Sequence, residues 1–303
     1  MKSFPLRLAS AGTWLVLLVS PCCAEPASAR EDPRLAQAIP AIEGAIAGSG
    51  ADVAVAFRTL DDRSRWYRRA DEPFHAASTM KVPVLIELYH QAHEGQLRLT
   101  DALAITNEFP SLMDGSPYAL DPADDSEADL YRAVGGARTL AQLGELMITV
   151  SSNLATNLLI ARLGVENIQR GVHALGADGM RVLRGVEDPK AFRAGLNNTT
   201  TARALERLMG AIAGGEAVDA ASSGAMREIL ERQTFNDGIP AGLPAGTRVA
   251  HKTGEITAIQ HDAAIVYAPR PFVLVVLTRG ISERKESCAL IATISRRLYA
   301  ATQ

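Results

Sequence analysis

A chain of 303 residues, 47% hydrophobic and 21% charged, has ample apolar material for a large core. Its net charge of −3 gives no electrostatic reason to bind nucleic acid or an anionic membrane. There is no basic run, internal repeat, low-complexity tract, GxGxxG or P-loop, and the six His show no zinc-type spacing, so neither a metal nor a cofactor is expected.

The first residues read as an export signal. Lys2 and Arg7 make a positive start, Leu8 to Val19 is a short apolar stretch, Ser20-Pro21 breaks it, and mostly small residues follow through Ala29. The stretch is too short to span a bilayer, so residues 1–29 are expected to be a signal peptide cleaved near Ala24–Ala29, placing the mature chain in the periplasm or outside the cell. Pro21 stands before Cys22, where a lipobox has Gly or Ala, so neither Cys22 nor Cys23 is expected to carry a lipid. The mature protein then keeps only Cys288, which cannot form an internal disulfide and reads as a small core residue of a late helix.

Beyond the signal, Pro33 to Ala47 has helical spacing (Leu35, Ile39, Ile42, Ile46), with Pro40 a kink point and Gly48-Ser49-Gly50 a stop. Asp52 to Phe57 reads as a strand, Asp61 to Ser64 as a turn, and Trp66 to Arg68 as a returning strand. From Ser78 to about Gly214 the pattern is mostly helical, with helices over Val82–Gln91, Leu140–Val150, Leu154–Leu163 and Thr200–Ile212. A helical stretch over Met226–Arg232 precedes three strands, Arg248–Lys252, Ala263–Tyr267 and Phe272–Thr278, and a last helix from Ser282 to Tyr299. Helix, strands, many helices, strands, helix is the order of an α+β protein whose antiparallel sheet is built from both chain ends around an inserted all-α region. The expected division is 30–72 and 222–303 for the sheet domain and 73–221 for the all-α domain, with the site between them.

Three patches carry the chemistry: Ser78-Thr79-Met80-Lys81, Ser151-Ser152-Asn153 and Lys252-Thr253-Gly254. A lone Ser-x-x-Lys is usually an N-capping Ser with a solvated Lys, and Ser-Ser-Asn alone is usually a helix cap. Together, in this order, they supply a serine nucleophile that works without histidine. Pro83 is tolerated only in a first turn, which puts Ser78 at a helix N-terminus, where outward N–H groups favour developing negative charge. Lys81 lies one turn on and shares a face with Ser78; the apolar run after it allows desolvation to lower the amine's pKa so that it acts as a base.

On these motifs the chain resembles the penicillin-recognising serine acyl-enzymes, the class A β-lactamases and their DD-peptidase relatives, from about Asp32 to the C-terminus. The resemblance implies the β-lactamase/DD-peptidase-like fold and opening of a β-lactam ring through an acyl-Ser78 intermediate followed by hydrolysis. It implies that Ser151 passes a proton to the leaving nitrogen and that Asn153 bonds the substrate's side-chain amide. Lys252, Thr253 and Gly254 would bind substrate, with Lys252 facing a carboxylate and helping to keep Lys81 neutral. The N–H groups of Ser78 and Glu255 would form the oxyanion hole, and His261 would either stand where many relatives carry a carboxylate-binding Arg or be a hydrogen-bonded structural residue. Asn157 also matches the family and reads as structural.

Two departures stand out. The middle of the second motif is commonly Asp in the family and here is Ser152. The stretch Arg184 to Thr200 does not keep the family's loop spacing. On that loop Glu187 is the candidate general base for deacylation and Asn197 its water partner, while Asp188 before Pro189 reads as a turn starter. Residues Met113 to Tyr118 look like an extra loop at the cleft, with Phe109 or Tyr118 as a wall. The expected partner is a small β-lactam, and the protein a monomer with no membrane attachment beyond the signal. Other readings are a DD-peptidase or transpeptidase acting on D-Ala-D-Ala peptides, a penicillin sensor that stays acylated, and an idle binding protein.

Overall fold

A computed structural model describes Met1 and residues 32–303; the rest of the expected signal peptide, with Cys22 and Cys23, lies outside the described residues. The chain opens with helix α1 (Pro33–Ser49), capped by the Asp32 side chain and closed by Gly50 in the left-handed region. Strands β1 (Asp52–Thr59) and β2 (Arg65–Arg68) form a hairpin. The middle of the chain contributes helices α2 (Lys81–His93), α3 (Leu140–Thr149), α4 (Asn153–Leu163), α5 (Val165–Ala174), α6 (Ala202–Gly214) and α7 (Ala220–Glu231). Strands β3 (Arg248–Ile256), β4 (Ile259–Tyr267) and β5 (Phe272–Arg279) and helix α8 (Arg284–Thr302) complete the fold.

The five strands form one antiparallel sheet in the order β2-β1-β5-β4-β3, so the first and last thirds of the chain pair through β1 and β5. Period-two alternation divides the side chains between two cores. Val53, Val55, Phe57, Val249, Ala264, Leu274 and Val276 face α1 and α8. Ala54, Ala56, Ala250, Ala263, Ile265, Val273 and Val275 face the helical region. Lys252 and Gly254 continue the parity of Ala250, so the strand that fills the core at one end delivers polar groups to the helical region at the other.

Most of the expected elements are present, with ends moved by a few residues. Helix α5 lies within the stretch expected to be mostly helical but is not among the helices named there: it carries only Ile168 and Val172 as buried apolar residues, too sparse a stripe to stand out. The expected domain limit at 221/222 falls inside α7, whose Met226, Ile229 and Leu230 pack in the core shared by the helices and the sheet. Cys288 is buried in α8, and burial raises its thiol pKa.

Candidate active site

The turn carrying Ser78 is a 3-10 helix, Ala77–Met80, that runs directly into α2. Ser78 itself is half-buried. Strand β3 lies against this turn so closely that a Cβ on Gly254 would stand 3.1 Å from both the Ser78 and Thr79 amide nitrogens. Glycine at 254 thus lets the strand approach those N–H groups without crowding them. Glu255, the next residue, is exposed and sends its carboxylate to Arg284 Nε at 2.8 Å, away from a catalytic role for the side chain.

Lys81 is fully buried at the start of α2. Its Nζ donates to Ser151 O at 2.6 Å and to Asn153 Oδ1 at 2.8 Å, and lies 3.2 Å from Ser151 Oγ. Burial drives its pKa down from the usual lysine value to about 7, against the pull of Asp125 and Glu187. Lys252 is also fully buried and reaches the same hydroxyl from the other side, its Nζ 3.0 Å from Ser151 Oγ and 2.8 Å from Thr253 O. Burial, and then the neighbouring Lys81, push the Lys252 amine well below the ordinary lysine range. Ser151 Oγ thus bridges two amines brought from separate helical and sheet elements.

Asn153 joins this cluster to the loop: its Nδ2 donates to Glu187 Oε1 while its Oδ1 accepts from Lys81. Desolvation raises the Glu187 pKa; the Asn153 hydrogen bond opposes it, Asp125 and Asp124 add to it, and Lys81 pulls it back. The loop has its own scaffold. Arg184 donates from Nε to Leu196 O at 2.8 Å, from Nη1 to Gly185 O at 2.8 Å and from Nη2 to Asn197 Oδ1 at 3.1 Å. Asn197 therefore faces Arg184. Asn198 closes the loop neck, accepting from Leu183 N at 2.8 Å and donating to Arg184 O at 3.0 Å.

Asp188 is almost wholly buried and caps the short helix Pro189–Arg193. It also accepts from Ser111 Oγ at 3.0 Å and Leu112 N at 2.8 Å. Burial alone would raise its pKa, but these donors hold it below the usual carboxylate value. The extra segment is a small hairpin, Phe109–Pro110 with Pro117–Tyr118, and the Asp188 bonds seat it against the loop. Tyr118 braces that loop by donating to Val186 O at 3.2 Å.

Three non-glycine residues of the site have left-handed backbones: Ala77 (φ 45°), Ser151 (φ 59°) and Glu187 (φ 57°). Ala77 precedes the first motif, Ser151 opens the second and Glu187 lies on the loop, and each such residue costs on the order of 1 kcal/mol. His261 stands one strand on from the third motif, paired with Gly254 across β3 and β4, and its side chain turns inward. Its ring is fully buried, with Nε2 2.9 Å from His75 O, Nδ1 2.8 Å from Gln260 O, and the Thr278 amide donating to Nδ1 at 3.2 Å. A neutral ring protonated on Nε2 satisfies both the His75 carbonyl and the Thr278 amide. Burial agrees, lowering the His261 pKa to about 4. Sequence reasoning missed Asp125, Arg184 and Asn198; the Ser at position 152, where the family commonly has Asp, was the only departure near them that it noted.

A family model for the beta-lactamase enzyme family matches residues 34–302. This chain belongs to the beta-lactamase enzyme family. The enzyme is 29% identical over 238 residues to a beta-lactamase of Streptomyces albus G, spanning 76% of this chain and 73% of that protein. It is 28% identical over 247 residues to beta-lactamase CTX-M-97 of Escherichia coli, spanning 79% and 80%. An ancestral class A beta-lactamase superimposes with a TM-score of 0.75 at 26% identity, over 88% of this chain and 100% of that one. PBP-A superimposes with a TM-score of 0.76 at 28% identity, over 90% and 97%. The enzyme is accordingly a serine β-lactamase of the class A family, with the β-lactamase/penicillin-binding α+β fold, and β-lactam hydrolysis is its family's reaction.

Proposed function

We propose that the enzyme hydrolyses β-lactams through an acyl-enzyme on Ser78, with Lys81 as the acylation base and Glu187 as the deacylation base. The observation that carries this reading is the convergence of Lys81 and Lys252 on Ser151 Oγ, together with the Asn153 amide joining Lys81 to Glu187. Neutral Lys81 takes the Ser78 hydroxyl proton as Oγ attacks the lactam carbonyl. The tetrahedral oxyanion sits beside the N–H groups of Ser78 and Glu255. As the C–N bond breaks, Ser151 gives its proton to the departing nitrogen and is reprotonated from Lys81 or Lys252. Glu187 then takes a proton from a water that attacks the ester carbonyl, and as the ester C–O bond breaks that proton passes to Ser78 Oγ, restoring the hydroxyl and the carboxylate.

Lys252 recognises the substrate carboxylate. A buried amine with a depressed pKa gains a counter-charge when a carboxylate arrives, so binding and protonation of Lys252 reinforce each other. Asn153 has its Nδ2 on Glu187, so a substrate amide must share or displace that bond. We read His261 as structural, because both its ring nitrogens face backbone groups. Asn197 does not serve Glu187 as water partner in this reading, since its Oδ1 is held by Arg184. We further propose that residues 1–29 export the chain and that the mature protein acts as a monomer, without membrane attachment; among the described residues no helix is long and apolar enough to cross a membrane.

A second reading, a D-Ala-D-Ala peptidase with slow deacylation, draws on the likeness to PBP-A, a variant of which is known as an acyl-enzyme complex with penicillin G. Mixing the mature protein with a chromogenic cephalosporin and a fluorescent penicillin separates the two. Continuous turnover supports hydrolysis, whereas one trapped equivalent of acyl-enzyme would replace it with the peptidase reading.

A further inference from the structure

The second motif of this enzyme has no acidic residue of its own, yet a carboxylate stands at its helix. Asp125 belongs to the segment between the 3-10 turn Pro122–Asp124 and the short helix Ala128–Arg132. Its Oδ2 accepts from Asn153 N at 2.8 Å and Leu154 N at 2.9 Å, the first two amides of α4. The same oxygen accepts from Tyr131 Oη at 2.8 Å and lies 3.3 Å from Ser152 Oγ. Ser152 Oγ meanwhile caps Ala155 N at 3.2 Å. A helix leaves its first amides without partners and its N-terminus positive, so a carboxylate there satisfies both demands at once.

Resting on the reading of Ser78 and Lys81 above, we propose that Asp125 is a positioning residue that replaces from a distant loop the carboxylate lacking at Ser152, fixing Asn153 and through it Lys81 and Glu187. The path is short and made of hydrogen bonds: Asp125 to the Asn153 amide, Asn153 Oδ1 to Lys81, and Asn153 Nδ2 to Glu187. Ser151 immediately precedes this cap in a left-handed conformation, which a loosened helix start would release.

Asp125 also acts by charge. The groups around Lys81 are Asp125, Glu187 and Lys252; those around Glu187 are Asp125, Asp124 and Lys81. The negative charge of Asp125 raises the pKa of both Lys81 and Glu187. Removing that charge lowers both, so a base-limited step should reach its plateau at lower pH.

The test is the rate of Ser78 acylation by a fluorescent penicillin, quenched and read by mass spectrometry from pH 5 to 9, for the parent, Asp125→Asn, Asp125→Ala, and Asp125→Ser combined with Ser152→Asp. The plateau rate should fall about tenfold or more in Asp125→Asn, as misplacement of a catalytic group does, and its acid limb should move to lower pH. The double variant should recover much of the rate lost in Asp125→Ala. An Asp125→Asn enzyme with the parent plateau and an unmoved limb would overturn the proposal, as would a double variant no faster than Asp125→Ala. Amide hydrogen exchange at Asn153 and Leu154 is read in parallel and needs no catalysis. Faster exchange in Asp125→Ala is expected, and unchanged exchange sinks the idea even if the parent fails to acylate, a failure that would count against the Ser78 reading instead.

Discussion

Asn157 grips Val186 by both ends of its amide: Oδ1 accepts the Val186 N–H at 2.7 Å, and Nδ2 donates to the Val186 carbonyl at 3.1 Å. A buried side chain one turn into α4 thereby takes the place of a strand partner for the residue just before Glu187. The approach leaves no room at Gly185, where a Cβ would stand 2.6 Å from Asn157 Oδ1.

Gly185→Ala should push Asn157 off Val186 and leave buried polar groups unpaired. We expect about 1–3 kcal/mol of lost stability, seen in thermal unfolding, and a deacylation rate reduced more than the acylation rate. Equal reduction of both steps would mean that the clamp does not act through Glu187.

Glu187→Gln keeps the size of the side chain and removes its basicity. Acylation of Ser78 should stay near the parent rate while hydrolysis of the ester slows by about 10²–10⁴-fold, the usual worth of general-base assistance. Stopped-flow kinetics should show a burst followed by slow turnover. Turnover at the parent rate would remove Glu187 from the mechanism.

Ser78→Ala should abolish the covalent adduct without loss of fold. Intact-protein mass spectrometry after exposure to a β-lactam checks this, and an adduct on the variant would point to another nucleophile.

The Lys81 pKa of about 7 sets two pH dependences. Neutral Lys81 is the working base, so acylation should rise as pH passes upward through about 7. For stability the sign follows from proton uptake. The unfolded lysine titrates near its ordinary value of 10.5 and the folded one near 7, so between these limits the unfolded state holds more protons and stability climbs with pH. Lys81→Met should therefore be more stable than the parent below pH 7, with the gap closing toward pH 10.5, while failing to acylate. A variant whose stability difference from the parent is constant with pH would contradict a buried neutral amine.

His261→Ala should cost about 3 kcal/mol of stability, from a lost buried ring and two unmatched backbone groups. Between pH 5.5 and 8 the shape of the kcat/KM profile should not change, because a ring with a pKa of about 4 is already neutral there. A profile that loses a limb in that range would restore His261 to carboxylate binding.

The sequence by itself determined the sheet built from both chain ends, because its strands are short β-branched runs whose alternation is local information. It likewise offered Ser78, Lys81, Ser151 and Lys252 as the proposed reactive set: a nucleophile needs a base and a helix terminus, which Ser78 and Lys81 combine within one turn of chain, and the other two motifs follow in order. Only the tertiary structure decided how the loop is held, because Arg184 and Asn198 act through contacts across the folded loop, and Asp188 and the Phe109–Tyr118 hairpin through contacts between segments far apart in sequence. It also set the surroundings of His261: strand parity faces it toward the helical region, and the His75 carbonyl and Thr278 amide then take its two nitrogens. And it brought Asp125 to the head of α4, where a helix terminus accepts a carboxylate from any segment that can reach it, so sequence position carries no record of the pairing.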